Sequence, residues 1–212
     1  MLRAASISFM RLTARRDGAS LPKKTSAQCD QLLTELVGLI HRHATFGLVV
    51  IAAEKEFADL IPTEWKTVPG ARLYAVCLQY AQMKIGEWIR KNAPGNQVAY
   101  IFESGHKDMG TAGAAMTRAA LDQKLKEQSC YKSHAFVAKR DASPLQAADL
   151  LAWEMNKLLS EKNRAGGRAI KPRKSLLALS RLKSQAYWLK GPRLAALVAD
   201  MIRYAAQETR RR

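Results

Sequence analysis

Val98-Ala99-Tyr100-Ile101-Phe102, closed by Glu103-Ser104-Gly105, is a short apolar run ending in an acid and a turn, the pattern of a buried strand. A helical pattern follows over 111–128, and then a second run of the same kind, His134-Ala135-Phe136-Val137-Ala138. Strands alternating with helices of this length imply parallel pairing and right-handed crossovers. The same alternation extends to both sides. Upstream, Leu32, Leu33, Leu36, Val37 and Ile40 recur at helical spacing over 27–43, with Ser26 as the N-cap. Phe46-Gly47-Leu48-Val49-Val50-Ile51 has no polar alternation and reads as a strand buried on both faces. A helix over 71–91 is opened by Pro69-Gly70 and closed by Ala93-Pro94-Gly95. Downstream, a helix over 144–161 gives way to a loop at 163–168 and to further helices over 175–184 and 192–207.

The whole is expected to be α/β: a mixed or parallel sheet flanked by helices, with a basic helical C-terminal segment. The boundaries expected are a poorly ordered basic arm over 1–22, an α/β domain over 23–165, and an extension over 166–212 packed on that domain. At 212 residues the chain is long enough for one well-buried core. No apolar run approaches the roughly 20 residues that span a bilayer, so no membrane partner is expected. The first 16 residues hold Arg and Ser but no acid, which superficially resembles a transit peptide. A chain beginning partway into its domain would look the same. Cys29, Cys77 and Cys130 are odd in number and far apart, unlike a zinc site or a disulfide scaffold. They read as buried free thiols of a cytoplasmic protein.

With 35 Lys and Arg against 18 Asp and Glu, the formal charge is +17. Such an excess attracts polyanions, of which nucleic acid is the commonest that a protein meets. Lys171, Arg173, Lys174 and Arg181 are the candidate nucleic-acid contacts in the basic C-terminal third.

Ligands of open parallel sheets bind beyond the carboxyl ends of the strands. That rule selects Glu103, followed by Ser104, Gly105, His106 and Asp108, and then Asp141 and Asp149 beyond the third strand. In Asp141-Ala142-Ser143-Pro144-Leu145-Gln146-Ala147-Ala148-Asp149, Ser143 as N-cap, Pro144 at the first helical position and Gln146 form a capping box. Capping does not account for Asp149, at the edge of the apolar face made by Leu145, Ala148, Leu151, Ala152, Met155 and Leu159. A carboxylate there is costly unless it is paired, hydrogen-bonded or bound to metal. A salt bridge to a nearby cation and a metal-ligand role both satisfy that condition. Carboxylates converging from a strand end and a helix suit Mg²⁺ or Mn²⁺, and two such ions serve phosphodiester cleavage. Glu103, Asp149 and Asp141 are therefore the candidate catalytic residues, with Glu103 and Asp149 as metal ligands and Ser143 and Gln146 ordering the helix start.

His106 offers a base or phosphate contact, but a lone loop histidine is more often solvated. His41 and His43 suit the C-terminal end of their helix. Trp88, Trp153, Tyr187 and Trp188 read as packing residues, with base stacking a lesser alternative for the last two. A small-molecule enzyme is disfavoured, because there is no Gly-rich phosphate loop and no nucleophile–base pair.

Ser133-His134-Ala135-Phe136 followed by the Asp141–Glu154 stretch, with its Gln146-Ala147-Ala148-Asp149 core, resembles the domain-of-unknown-function 3800 family. The resemblance covers about 27–182, and Gln146 to Asp149 is its one sharp motif. It implies a ribonuclease-H-like fold and a metal-dependent nuclease, with Asp149 as the acid of the helix and Glu103 as the acid of the middle strand. Members of that family open with a strand ending in Asp-Glu-Ser-Gly; this chain has no such motif, and its first acid is Asp17. Loss of one metal ligand weakens or abolishes such a centre. The expectation is thus a nuclease-like domain, crippled by the missing acid. Its rival is a non-catalytic protein that holds nucleic acid or a partner through its basic C-terminal third.

Overall fold

In the computed structural model, residues 26–65, 72–106, 108–138, 141–166 and 168–209 are described; the expected 1–22 arm lies outside them. The described chain is α/β and mostly helical. Its order is α1 (Ser26–His43), β1 (Gly47–Ala52), α2 (Glu54–Leu60), a 3₁₀ turn (Thr63–Trp65), α3 (Leu73–Asn92), β2 (Val98–Glu103), α4 (Met109–Leu121), α5 (Gln123–Gln128), β3 (Tyr131–Val137), α6 (Ser143–Arg164), α7 (Lys174–Leu179), β4 (Ser184–Leu189) and α8 (Gly191–Thr209). Two compact units share these elements. One comprises the segment ending at Gly47 together with Lys139–Ser184; the other comprises Leu48–Ala138 and the segment beginning at Gln185. The basic segment 166–212 is thereby divided. Its helix α7 belongs with α1 and α6, while β4 and α8 belong with the remaining elements.

β2 and β3 pair in parallel, with Phe102 opposite Phe136 and Glu103 opposite Val137. The crossover runs through α4 and α5, as a parallel pair requires. Aromatic rings stack across the two strands, Tyr100 on Tyr131 and Phe102 on Phe136 with centroids 6.2 and 5.3 Å apart. The buried Tyr100 hydroxyl donates to the Ser129 carbonyl at 2.6 Å, so its polar end is satisfied. Behind the strands, α3 contributes Val76, Leu78, Ala81, Ile85 and Ile89 to the core, and α4 contributes Ala112 and Met116.

Among the described residues the strands form two two-stranded sheets, β1–β4 and β2–β3, where one larger sheet was expected. This changes the environment of β1. Gly47 and Leu48 are buried but the other four residues are only half-buried, because β1 has a single neighbour. β4 replaces the end of the helix expected over 175–184; α7 stops at Leu179. The helix expected over 111–128 is two, broken at Asp122, whose extended backbone ends α4 and whose carboxylate accepts from the Leu125 N–H at 3.0 Å.

The start of α6 is shifted by one residue from the position that the expected capping box implies. The helix begins at Ser143, one residue earlier than capping requires, with Ala142 in the N-cap position. Gln146 is exposed.

In the first unit, α7 packs against both α1 and α6. Leu176 and Leu179 of α7 are buried, as are Val37 of α1 and Leu145 and Ala148 of α6. The His41 imidazole Nε2 lies 2.8 Å from the Ala178 carbonyl, a bond that ties α1 to α7.

Candidate functional site

Two places answer the search for chemistry, one in each unit. At the carboxyl end of β2, the Ser104 N–H donates to the Val137 carbonyl at 2.8 Å and continues the strand pairing by one residue. Gly105 then turns the chain with φ of +79°, a left-handed conformation that suits glycine. His106 stacks at a tilt on Tyr74, 5.6 Å between centroids, and its Nδ1 accepts from the Asp108 N–H at 3.2 Å. Asp108 is buried, and its carboxylate is paired with the Arg72 guanidinium at 3.4 Å. That pairing satisfies the charge within the fold. Burial holds the Tyr74 hydroxyl above the usual phenol range, with the Asp108 carboxylate and Cys77 adding to it. Burial alone pushes the Cys77 thiol up to about 12. Both side chains are protonated at neutral pH. Glu103 is half-buried at the strand end, where parallel-sheet topology places a ligand-facing residue.

The second place is the α6–α7 region of the other unit. Asp141 is exposed just before α6, and Asp149 is half-buried one turn beyond the buried Leu145, as its position on the helix face implies. Glu103 therefore belongs to one unit, and Asp141 and Asp149 to the other. Among the described residues no group of three or more His, Cys, Asp or Glu side chains is placed to hold a metal ion.

The most buried carboxylate is one that the sequence reading passed over. The Glu154 side chain is fully buried in α6. Its Oε1 accepts from the Ser175 hydroxyl at the start of α7, and its Oε2 faces the Arg173 Nε at 3.8 Å. Arg173 also lies over the Trp153 ring, 4.6 Å from the centroid. Glu154 comes nine residues after Leu145, which at about 100° per residue puts it on the opposite side of the helix. Its burial comes from α7, a six-residue helix that no long-period pattern announces. A Glu followed about twenty residues later by Arg and Ser at a helix start is too weak a signal to have found the cluster.

All four basic candidates, Lys171, Arg173, Lys174 and Arg181, are exposed and belong to this same unit. They stand in a longer stretch. Residues 162–183 carry eight Lys or Arg and no Asp or Glu, and all eight cations are exposed.

No family model, curated protein or solved structure matches this chain. No helix among the described residues is long and apolar enough to cross a membrane.

Proposed function

We propose that this chain is a nucleic-acid-binding protein that holds its ligand through the basic stretch 162–183. The observation that carries this reading is the stretch itself, with eight exposed cations and no acid among them. Over the whole chain, 35 basic against 18 acidic residues leave 17 cations with no carboxylate side chain to match. Cations held this close together along 22 residues of one unit repel one another, and a polyanion relieves that repulsion while releasing its own condensed counterions.

The test is fluorescence anisotropy of labelled DNA and RNA oligonucleotides across a salt series. Binding is expected to weaken steeply with salt, and the triple variant Lys171→Gln, Lys174→Gln, Arg181→Gln to flatten the log–log slope by about one unit for each phosphate no longer neutralised. An unchanged slope in that variant, or no binding at low salt, removes the reading.

Metal-dependent hydrolysis is the second reading, favoured by the position of Glu103 at the carboxyl end of β2. It is checked by thermal unfolding with Mg²⁺ or Mn²⁺ on the wild type, Glu103→Gln and Asp149→Asn. A metal-dependent rise in Tm that either substitution abolishes supports it, and no rise in the wild type removes it.

A further inference from the structure

We infer that the Arg173–Trp153 pair is a stacking platform for an unpaired base, so that the nucleic acid held by the basic stretch is single-stranded. This rests on the binding reading above and narrows its ligand. Most cations of a surface stretch are point charges on mobile stems, able to meet phosphate but not to select among its carriers. Arg173 differs from its neighbours. Its guanidinium lies over the Trp153 indole, and its Nε faces the fully buried Glu154 carboxylate at 3.8 Å. A carboxylate with no exposed surface is costly to bury, and one of its oxygens, Oε1, is satisfied by the Ser175 hydroxyl. The other, Oε2, has no hydrogen-bond partner. The guanidinium is therefore shared between the ring face and the carboxylate and closes on neither as a bidentate pair.

The result is a planar cation fixed on an aromatic ring while 39% of its side chain stays exposed. Flat guanidinium and indole surfaces are what splayed bases stack upon. In a duplex the bases are already stacked on one another, so a flat surface adds nothing to its binding. Lys171 and Lys174, exposed on either side of Arg173 in the chain, supply charge for the flanking phosphates. If Arg173 served only to neutralise Glu154, it would lock α7 in place and make no distinction between strands with and without bases.

The experiment compares an oligothymidylate of about 15 nucleotides with an abasic strand of equal length and charge, each across a salt series. The wild type is expected to favour the base-bearing strand by about tenfold. Arg173→Lys keeps the charge but not the plane, and should bring the ratio close to one while leaving the salt slope in place. Glu154→Gln retains an acceptor for Ser175 but releases the guanidinium, and should lower the ratio as well. The readout is a ratio of two affinities in one protein, so a smaller folded fraction lowers both and cancels. A wild-type ratio near one, or a ratio that survives Arg173→Lys, overturns the inference while leaving salt-dependent binding intact. Absence of salt-dependent binding to either strand overturns the binding reading and this inference with it.

Discussion

At the scale of single residues, Glu154 and Gly86 define what the fold cannot give up. Glu154 has one firm hydrogen bond, from Ser175. Ser175→Ala leaves a buried carboxylate oxygen without its donor, and such a loss costs about 1–3 kcal/mol. Denaturant midpoints of the variant and the wild type, at equal slope, measure it. Gly86 answers to geometry instead. A Cβ added there would sit 1.8 Å from the Gln128 carbonyl oxygen, and both groups belong to backbones that must move apart. Gly86→Ala is expected to destabilise by about 2–3 kcal/mol, lowering Tm by roughly 5–10 °C in a chain of this size. One turn further along α3, the Arg90 guanidinium donates to the Glu127 and Gln128 carbonyls at 3.1 and 2.8 Å. The Gln128 carbonyl is one that the end of α5 leaves without an intrahelical partner, while the Glu127 carbonyl also accepts from the Cys130 N–H at 3.2 Å. Neither relation could be read from the sequence, because each joins residues some forty positions apart through a helix contact that hydropathy does not encode.

Elements were legible in proportion to their length and periodicity. α3, expected over 71–91, is found at Leu73–Asn92, and the strands around Val98 and His134 stand close to where their apolar runs put them. Short pieces were not legible. β4 escaped notice because five of its six residues keep some exposure, so Ser184-Gln185-Ala186-Tyr187-Trp188-Leu189 shows no alternation. Tyr187 does pack, edge-on against Tyr80 at 5.4 Å, whereas Trp188 is half exposed. The break between α4 and α5 was missed for a different reason. No Gly or Pro stands at the break, and only Asp122, a residue suited to capping, marks the stop. Asp122→Ala should cost about 1 kcal/mol, concentrated at α5. Amide exchange across Gln123–Gln128 would then quicken more than exchange in α4, and equal quickening in both helices would contradict the cap. At α6 the Ser-Pro-x-Gln signature stands one residue further into the helix than a capping box would, with Ala142 in the N-cap position. As for the candidate site, the Trp153–Arg173–Glu154 cluster depends on a helix too short to announce itself.

For the molecule as a whole, alkaline pH is the condition that should expose its weakness. Burial raises Cys77 from an ordinary 9.0 to about 12, and raises Tyr74 and Tyr100 as well. Between the ordinary thiol value and about 12, the folded state keeps the Cys77 proton while the unfolded chain has released it. The unfolded state binds fewer protons in that window, so stability falls as pH rises. Full stability is expected below about pH 9, with a progressive decline above it that the two tyrosines steepen. Urea unfolding at about pH 8 and about pH 10.5 measures the fall, and Cys77→Ala should reduce it. A flat response in the wild type would contradict the burial of these groups.

The division of the chain into two interleaved units also sets an order of events during synthesis. The first unit draws on the segment ending at Gly47 and on Lys139–Ser184, with the whole of Leu48–Ala138 made in between. α1 leaves the ribosome early, ending at His43, whereas α7, to which His41 is bonded, ends at Leu179. At roughly 5–20 residues per second, α1 waits on the order of ten seconds for its partner. In that interval β2, its crossover and β3 can already assemble, while the apolar face of α1 stays uncovered on the nascent chain. Translation pauses or chaperone depletion should therefore harm this protein first through α1, long before the basic stretch it serves to support has been made.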